Sequence, residues 1–131
     1  MFLPMRMYLA LLGLLALAAV ACSSSTGPSA SNPCSTSGAA ATVSATDNFA
    51  FTPGSVTVTV GQSVCWQNTG QLVHTVTDVA TTGRRFSGNL PGSQAFVYTF
   101  GFGGTFEYRC NNHSNMTGTV VVNCRPGDFV C

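Results

Sequence analysis

The chain has 131 residues, one domain's worth, and only 7% of them are charged, for a formal net charge of +1. It contains no lysine, and its arginines are scattered at positions 6, 84, 85, 109 and 125. A nucleic-acid binder needs a basic face to neutralise phosphates, so that class is excluded.

Residues 1–21 do not read as part of a folded domain. Arg6 is the only charge before a Leu- and Ala-rich run over residues 8–20. That run is too short to span a bilayer comfortably. A basic start, a short apolar stretch and small residues at its end describe an export signal. Leu17-Ala18-Ala19-Val20-Ala21-Cys22 resembles the cleavage box of bacterial lipoproteins, in which the cysteine becomes the lipidated first residue. It departs from the usual pattern in having Ala19 where leucine is common. Cys22 is therefore the expected lipidation site and membrane anchor, with plain secretion as the alternative. Residues 22–40 are mostly Ser, Gly, Ala, Pro and Asn, which predicts a flexible tether. Once residues 1–21 are removed, Arg84, Arg85, Arg109 and Arg125 balance Asp47, Asp78, Glu107 and Asp128. A neutral chain gives little electrostatic steering toward a partner.

Residues 41–131 are expected to form the domain. Val56, Val58 and Val60 alternate with Thr57 and Thr59, the period of a strand with one buried face. Val64 and Trp66 continue on one face after a turn at Gly61-Gln62. His74-Thr75-Val76-Thr77 is a further short strand. Phe96, Tyr98 and Phe100 alternate again, and Gly101-Phe102-Gly103-Gly104 supplies a turn. Phe106, Tyr108 and Cys110 share a face, and Val120-Val121-Val122 closes the domain. No segment has a helical period and there is no internal repeat. Short strands separated by Gly, Pro and Asn clusters predict an all-β sandwich or barrel.

The chemistry concentrates in a few residues. The chain has only two histidines, His74 and His113. Met116 is the only methionine beyond the signal. Both histidines and that methionine fit one pattern, a distant His followed by Cys110-x2-His113-x2-Met116. A thiolate and two imidazoles in a trigonal arrangement, with a weak thioether on the axis, make a blue-copper site. The soft sulfur ligands suit Cu(I), and imidazole suits both oxidation states. Each residue alone has a bland reading: an exposed histidine, half of a disulfide, a core methionine. Structural zinc sites favour four strong Cys or His ligands, so a thioether would be an odd fourth. The expected cofactor is one copper ion.

Gly61-Gln62-Ser63-Val64-Cys65-Trp66-Gln67-Asn68, Val73-His74-Thr75-Val76, Gly104-Thr105-Phe106-Glu107-Tyr108-Arg109-Cys110 and Met116-Thr117-Gly118-Thr119-Val120-Val121-Val122 together resemble the plastocyanin family of cupredoxins. The likeness covers roughly residues 41–123. The short Cys-x2-His-x2-Met loop is closer to amicyanin than to the longer plastocyanin loop. The resemblance implies a Greek-key sandwich of about eight strands and a type 1 copper bound by His74, Cys110, His113 and, weakly, Met116. It also implies that Leu72, Val73 and residues 111–115 border an exposed edge of His113, where redox partners dock. The chain departs from the family at Thr75, where asparagine often braces the cysteine loop. The Thr75 hydroxyl and amide are candidates to share that task.

Six cysteines in an exported chain suggest an oxidising compartment. With Cys22 assigned to lipid and Cys110 to copper, Cys34, Cys65, Cys124 and Cys131 remain, which allows three pairings. The family's fold puts all four at the pole opposite copper and favours Cys34–Cys124 and Cys65–Cys131. The expected function is single-electron transfer by a monomer on the periplasmic side of a bacterial membrane, with a copper carrier or buffer as the alternative. An enzyme is not expected, because both histidines are already used.

Overall fold

A computed structural model describes residues 32–80, 84–128 and 131. The signal expected over residues 1–21, Cys22 and the first part of the tether lie outside these residues. Nine strands and no helix occur among the described residues. One sheet has the order β2-β1-β4-β7, formed by β1 (Ala41–Thr46), β2 (Ala50–Thr52), β4 (Ser63–Asn68) and β7 (Ala95–Thr99). The other has the order β3-β9-β8-β5-β6, formed by β3 (Ser55–Thr59), β5 (His74–Asp78), β6 (Ser87–Leu90), β8 (Gly104–Arg109) and β9 (Thr117–Asn123). The all-β sandwich expected from the alternating pattern is the observed fold.

The two sheets close over an apolar layer. Trp66 is fully buried at its centre, with Phe86, Phe96 and Tyr108 around its ring. Val43, Val64, Val76, Val120 and Phe106 fill the space between the sheets. These are the inward positions of strands whose outward positions are mostly polar, such as Thr42, Ser44, Gln67, Thr105 and Glu107. Burial pushes the Tyr108 phenol up to about 12, against a smaller opposing effect of Trp66.

Two strands have no pattern in the sequence. β2 is three residues long and is followed by Pro53-Gly54, which carries the chain from one sheet to the other. β6 reads Ser-Gly-Asn-Leu. Its Gly88 lies against the Phe96 ring, in space that a side chain would have to share with that ring. The strand thus loses a recognisable apolar residue because a neighbouring strand supplies it. These short elements bring the count to nine, in keeping with the expected sandwich of about eight strands.

The last part of the expected tether, from Asn32 to residue 40, lies among the described residues. The Asn32 side chain accepts the Cys34 N–H at 2.9 Å, and Ala40 N–H donates to the Ser63 carbonyl at 2.9 Å. The expected disulfide pairing is corrected. The bonds are Cys34–Cys65 and Cys124–Cys131, and Cys110 is the free cysteine among the described residues. Val64 and Trp66 point into the core, so Cys65 between them points to the outer face of its sheet. The turn at residues 32–37 folds over that face and meets it. Cys124 follows β9, in the other sheet, and the chain curls back so that Cys131 reaches it. Gly103 N–H donates to the Cys131 carbonyl at 3.3 Å, fixing that curl.

The two bonds span 31 and 7 residues of sequence. Loop-closure entropy then assigns about 3.7 kcal/mol to the first and about 2.4 kcal/mol to the second. Removing Cys34 and Cys65 together should therefore lower the urea midpoint more than removing Cys124 and Cys131. Peptide mapping without reduction should recover these two linkages and find Cys110 alkylatable after denaturation.

Candidate metal centre

β5 begins at the site. Asn68, at the end of β4, donates through Nδ2 to the Leu72 and Leu90 carbonyls at 2.6 and 3.0 Å. These bonds draw the 69–73 loop in and deliver His74 to the interior at the first position of β5. His74 is fully buried. Cys110 follows the last residue of β8, and its loop returns at Met116 before β9. Cys110 N–H donates to the Met116 carbonyl at 2.9 Å, and Met116 N–H donates to His113 O at 3.5 Å. Asn115 turns the chain at φ 68°, a left-handed conformation that asparagine tolerates better than most residues.

These elements bring three donor atoms together. His74 Nδ1 lies 3.1 Å from His113 Nδ1 and 3.9 Å from Cys110 Sγ. Cys110 Sγ lies 3.5 Å from His113 Nδ1. Met116 is buried and lines the same cleft as Cys110 and His113. Bond lengths of about 2.0 Å to nitrogen and about 2.3 Å to sulfur place donors in a trigonal plane about 3.5 and 3.7 Å apart. The observed separations fit one small ion at the centre of the triangle. Hard oxygen donors are absent from this group, which suits copper better than magnesium or calcium.

Thr75 braces the loop in two ways. Its backbone N–H points at Cys110 Sγ at 3.4 Å, and its hydroxyl accepts the Asn111 N–H at 2.7 Å. Asn111 Nδ2 donates onward to the Thr77 hydroxyl at 3.0 Å, and Asn112 Nδ2 to the Val73 carbonyl at 3.0 Å. The hydroxyl and amide of Thr75 thus serve where the family often has asparagine.

Two residues near the site were not singled out in the sequence, and both come from the turn between β1 and β2. The Phe49 ring packs on the His113 ring with centroids 4.7 Å apart, yet Phe49 is 50% exposed. Leu72 and Val73, in the loop leading to His74, are also exposed. Asp47 accepts N–H bonds from Gln71 and Leu72, which hold its carboxyl below the usual range. Its Oδ1 lies 4.0 Å from His74 Nε2. Neither Phe49 nor Asp47 belongs to a pattern in the sequence that says where this turn docks.

Solved structures put this arrangement in context. A reduced amicyanin variant with a proline replaced by phenylalanine is 30% identical, with a TM-score of 0.59, covering 66% of this chain and 83% of that one. The chain belongs to the cupredoxins. Another reduced amicyanin variant, with tryptophan replaced by tyrosine, is 29% identical with a TM-score of 0.60 over 66% of this chain and 84% of that one. A purple cupredoxin from Nitrosopumilus maritimus shares the fold at 22% identity and a TM-score of 0.58, covering 63% of this chain and 99% of that one. No family model and no curated protein sequence matches the chain. The donor set above is suited to one copper ion.

Burial and the neighbouring His113 push His74 below its ordinary value of 6.5, with Asp47 opposing them. A histidine held neutral by the fold stabilises it above about pH 6.5. That contribution is lost as pH falls through the lowered value. The metal-free protein should therefore lose stability on acidification below about pH 6.5, measured as a falling urea midpoint. Replacing His74 with leucine should flatten that part of the profile.

Proposed function

We propose that this cupredoxin is an electron carrier in which His74, Cys110 and His113 would hold copper strongly and Met116 would hold it weakly. The observation that carries the reading is the donor triangle: one sulfur and two imidazole nitrogens at separations suited to a single ion, with a thioether in the same cleft. The ion, when bound, supplies a reversible one-electron change between Cu(II) and Cu(I). The protein's own residues keep the donors in place through that change. Thr75, Asn111 and Asn112 tie the ligand loop to β5 and its approach, so little rearrangement accompanies the change of charge.

His113 is the route in and out. It is only partly buried, Phe49 packs on its ring, and Phe49, Leu72 and Val73 are exposed apolar residues that we assign to the docking surface around it. In this reading a redox protein docks there briefly, as a monomer-to-partner contact, and the near-neutral chain makes that contact weakly dependent on salt. Both histidines belong to the copper site, which leaves no general base for an enzyme. The two disulfides support an exported protein in an oxidising compartment. We assign residues 1–21 to a signal, Cys22 to a lipid anchor and the following segment to a tether on the periplasmic side of a bacterial membrane. A soluble periplasmic protein is the alternative.

Protein reconstituted with Cu(II) should show an intense thiolate-to-copper charge-transfer band and reversible one-electron voltammetry. Cys110→Ser should abolish the band. Phe49→Asp should slow electron exchange with a partner while leaving the band in place. Absence of the band in wild-type protein with Cys110 reduced would overturn the copper assignment. Rapid loss of copper to a chelator, without reversible voltammetry, would instead indicate a carrier or buffer.

A further inference from the structure

His74 has two ring nitrogens with different surroundings. Nδ1 faces the donor triangle, 3.1 Å from His113 Nδ1. Nε2 is buried on the other side and has no hydrogen-bond partner among the described residues. A buried polar atom without a partner is uncommon and calls for an explanation. The charged group facing it is the Asp47 carboxylate, with Oδ1 at 4.0 Å. That is an ion-pair distance, longer than a hydrogen bond.

The carboxylate is held in place from several sides. Gln71 N–H reaches both of its oxygens at 3.0 Å, and Leu72 N–H reaches Oδ1 at 3.1 Å. Gly70 passes so close that any side chain there would collide with the carboxylate. Asp47 thereby fastens the β1–β2 turn to the loop that leads into His74. Its negative charge ends up behind the ligand ring, on the side away from the metal.

We propose that Asp47 is a positioning residue for the copper site: it faces the Nε2–H of His74, fixes that ring's tautomer and favours the oxidised state of the metal. The physical reason is electrostatic. An outer carboxylate makes a ligating imidazole a stronger donor and orients it. The extra positive charge of Cu(II) over Cu(I) is stabilised by a nearby fixed anion. Asp47 is 44% exposed on its side chain, so water screens part of the effect and the interaction is moderate. The proposal rests on the copper reading above.

The test is the reduction potential of Asp47→Asn, which keeps an oxygen acceptor for the two loop amides and removes the charge. The potential should rise, with the charge-transfer band retained and the melting temperature little changed. Asp128→Asn removes an equal charge beyond the far end of β9 and should leave the potential where it was. An unchanged potential in Asp47→Asn with an intact band would sink the role of Asp47 and leave the copper site standing. Equal shifts in both variants would reduce the effect to net charge and sink it as well. A missing band in wild-type protein would sink the copper reading instead. Should Asp47→Asn fail to fold, nitrogen-15 NMR of the metal-free wild type decides. A His74 protonated at Nε2, with that proton slow to exchange, is the expected result. A His74 protonated at Nδ1 and bare at Nε2 would overturn the proposal.

Discussion

The geometry of the metal end depends on one strand, β5. Its first residue is His74, and its second, Thr75, donates a backbone N–H to the sulfur of Cys110 and accepts the Asn111 N–H on its hydroxyl. Two stretches of chain separated by 35 residues are thereby locked together at adjacent positions. A sheet can do this because antiparallel pairing fixes which residue faces which. β5 pairs with β8 through Thr77 and Arg109, so the residue after β8 arrives beside Thr75 without further adjustment.

The rest of the site follows from that registration. The loop from Cys110 closes on itself through the bond between the Cys110 N–H and the Met116 carbonyl. Closure brings His113 toward His74 and Met116 into the same cleft. Behind these residues, the Trp66 core resists movement of either sheet. The donors are therefore positioned by backbone geometry and packing, which suits an ion whose two charge states want different coordination.

How legible this was depended on how local each feature is. The strands holding Val56 and Val58, or Phe106 and Tyr108, could be read because each buries alternate residues of its own. β6 could not, because Phe96 from another strand occupies the space beside its Gly88. Cys110, His113 and Met116 could be read from spacing, since one short loop carries all three. His74 was recognisable because the chain has only two histidines. The four disulfide cysteines were read correctly, but their pairing was not, because it depends on turns outside the sheets. Cys34 reaches Cys65 only by folding over an outer face, and Cys131 reaches Cys124 only by curling back. Asp47 and Phe49 left no signal, because nothing in a polar turn says which loop it will dock against.

The Cys34–Cys65 bond has a mechanical consequence. Cys65 lies in β4, an interior strand of its sheet, on the side of Asn68 away from His74. Whatever pulls on the chain before residue 32 is transmitted through a covalent link into the middle of that sheet, where β1 and β7 flank it. The load bypasses β1, whose hydrogen bonds would otherwise open one after another like a zipper. It also enters toward the end opposite the donor triangle. The protein can thus be tugged, bent or crowded at its leading segment while the four side chains at the other end keep their spacing.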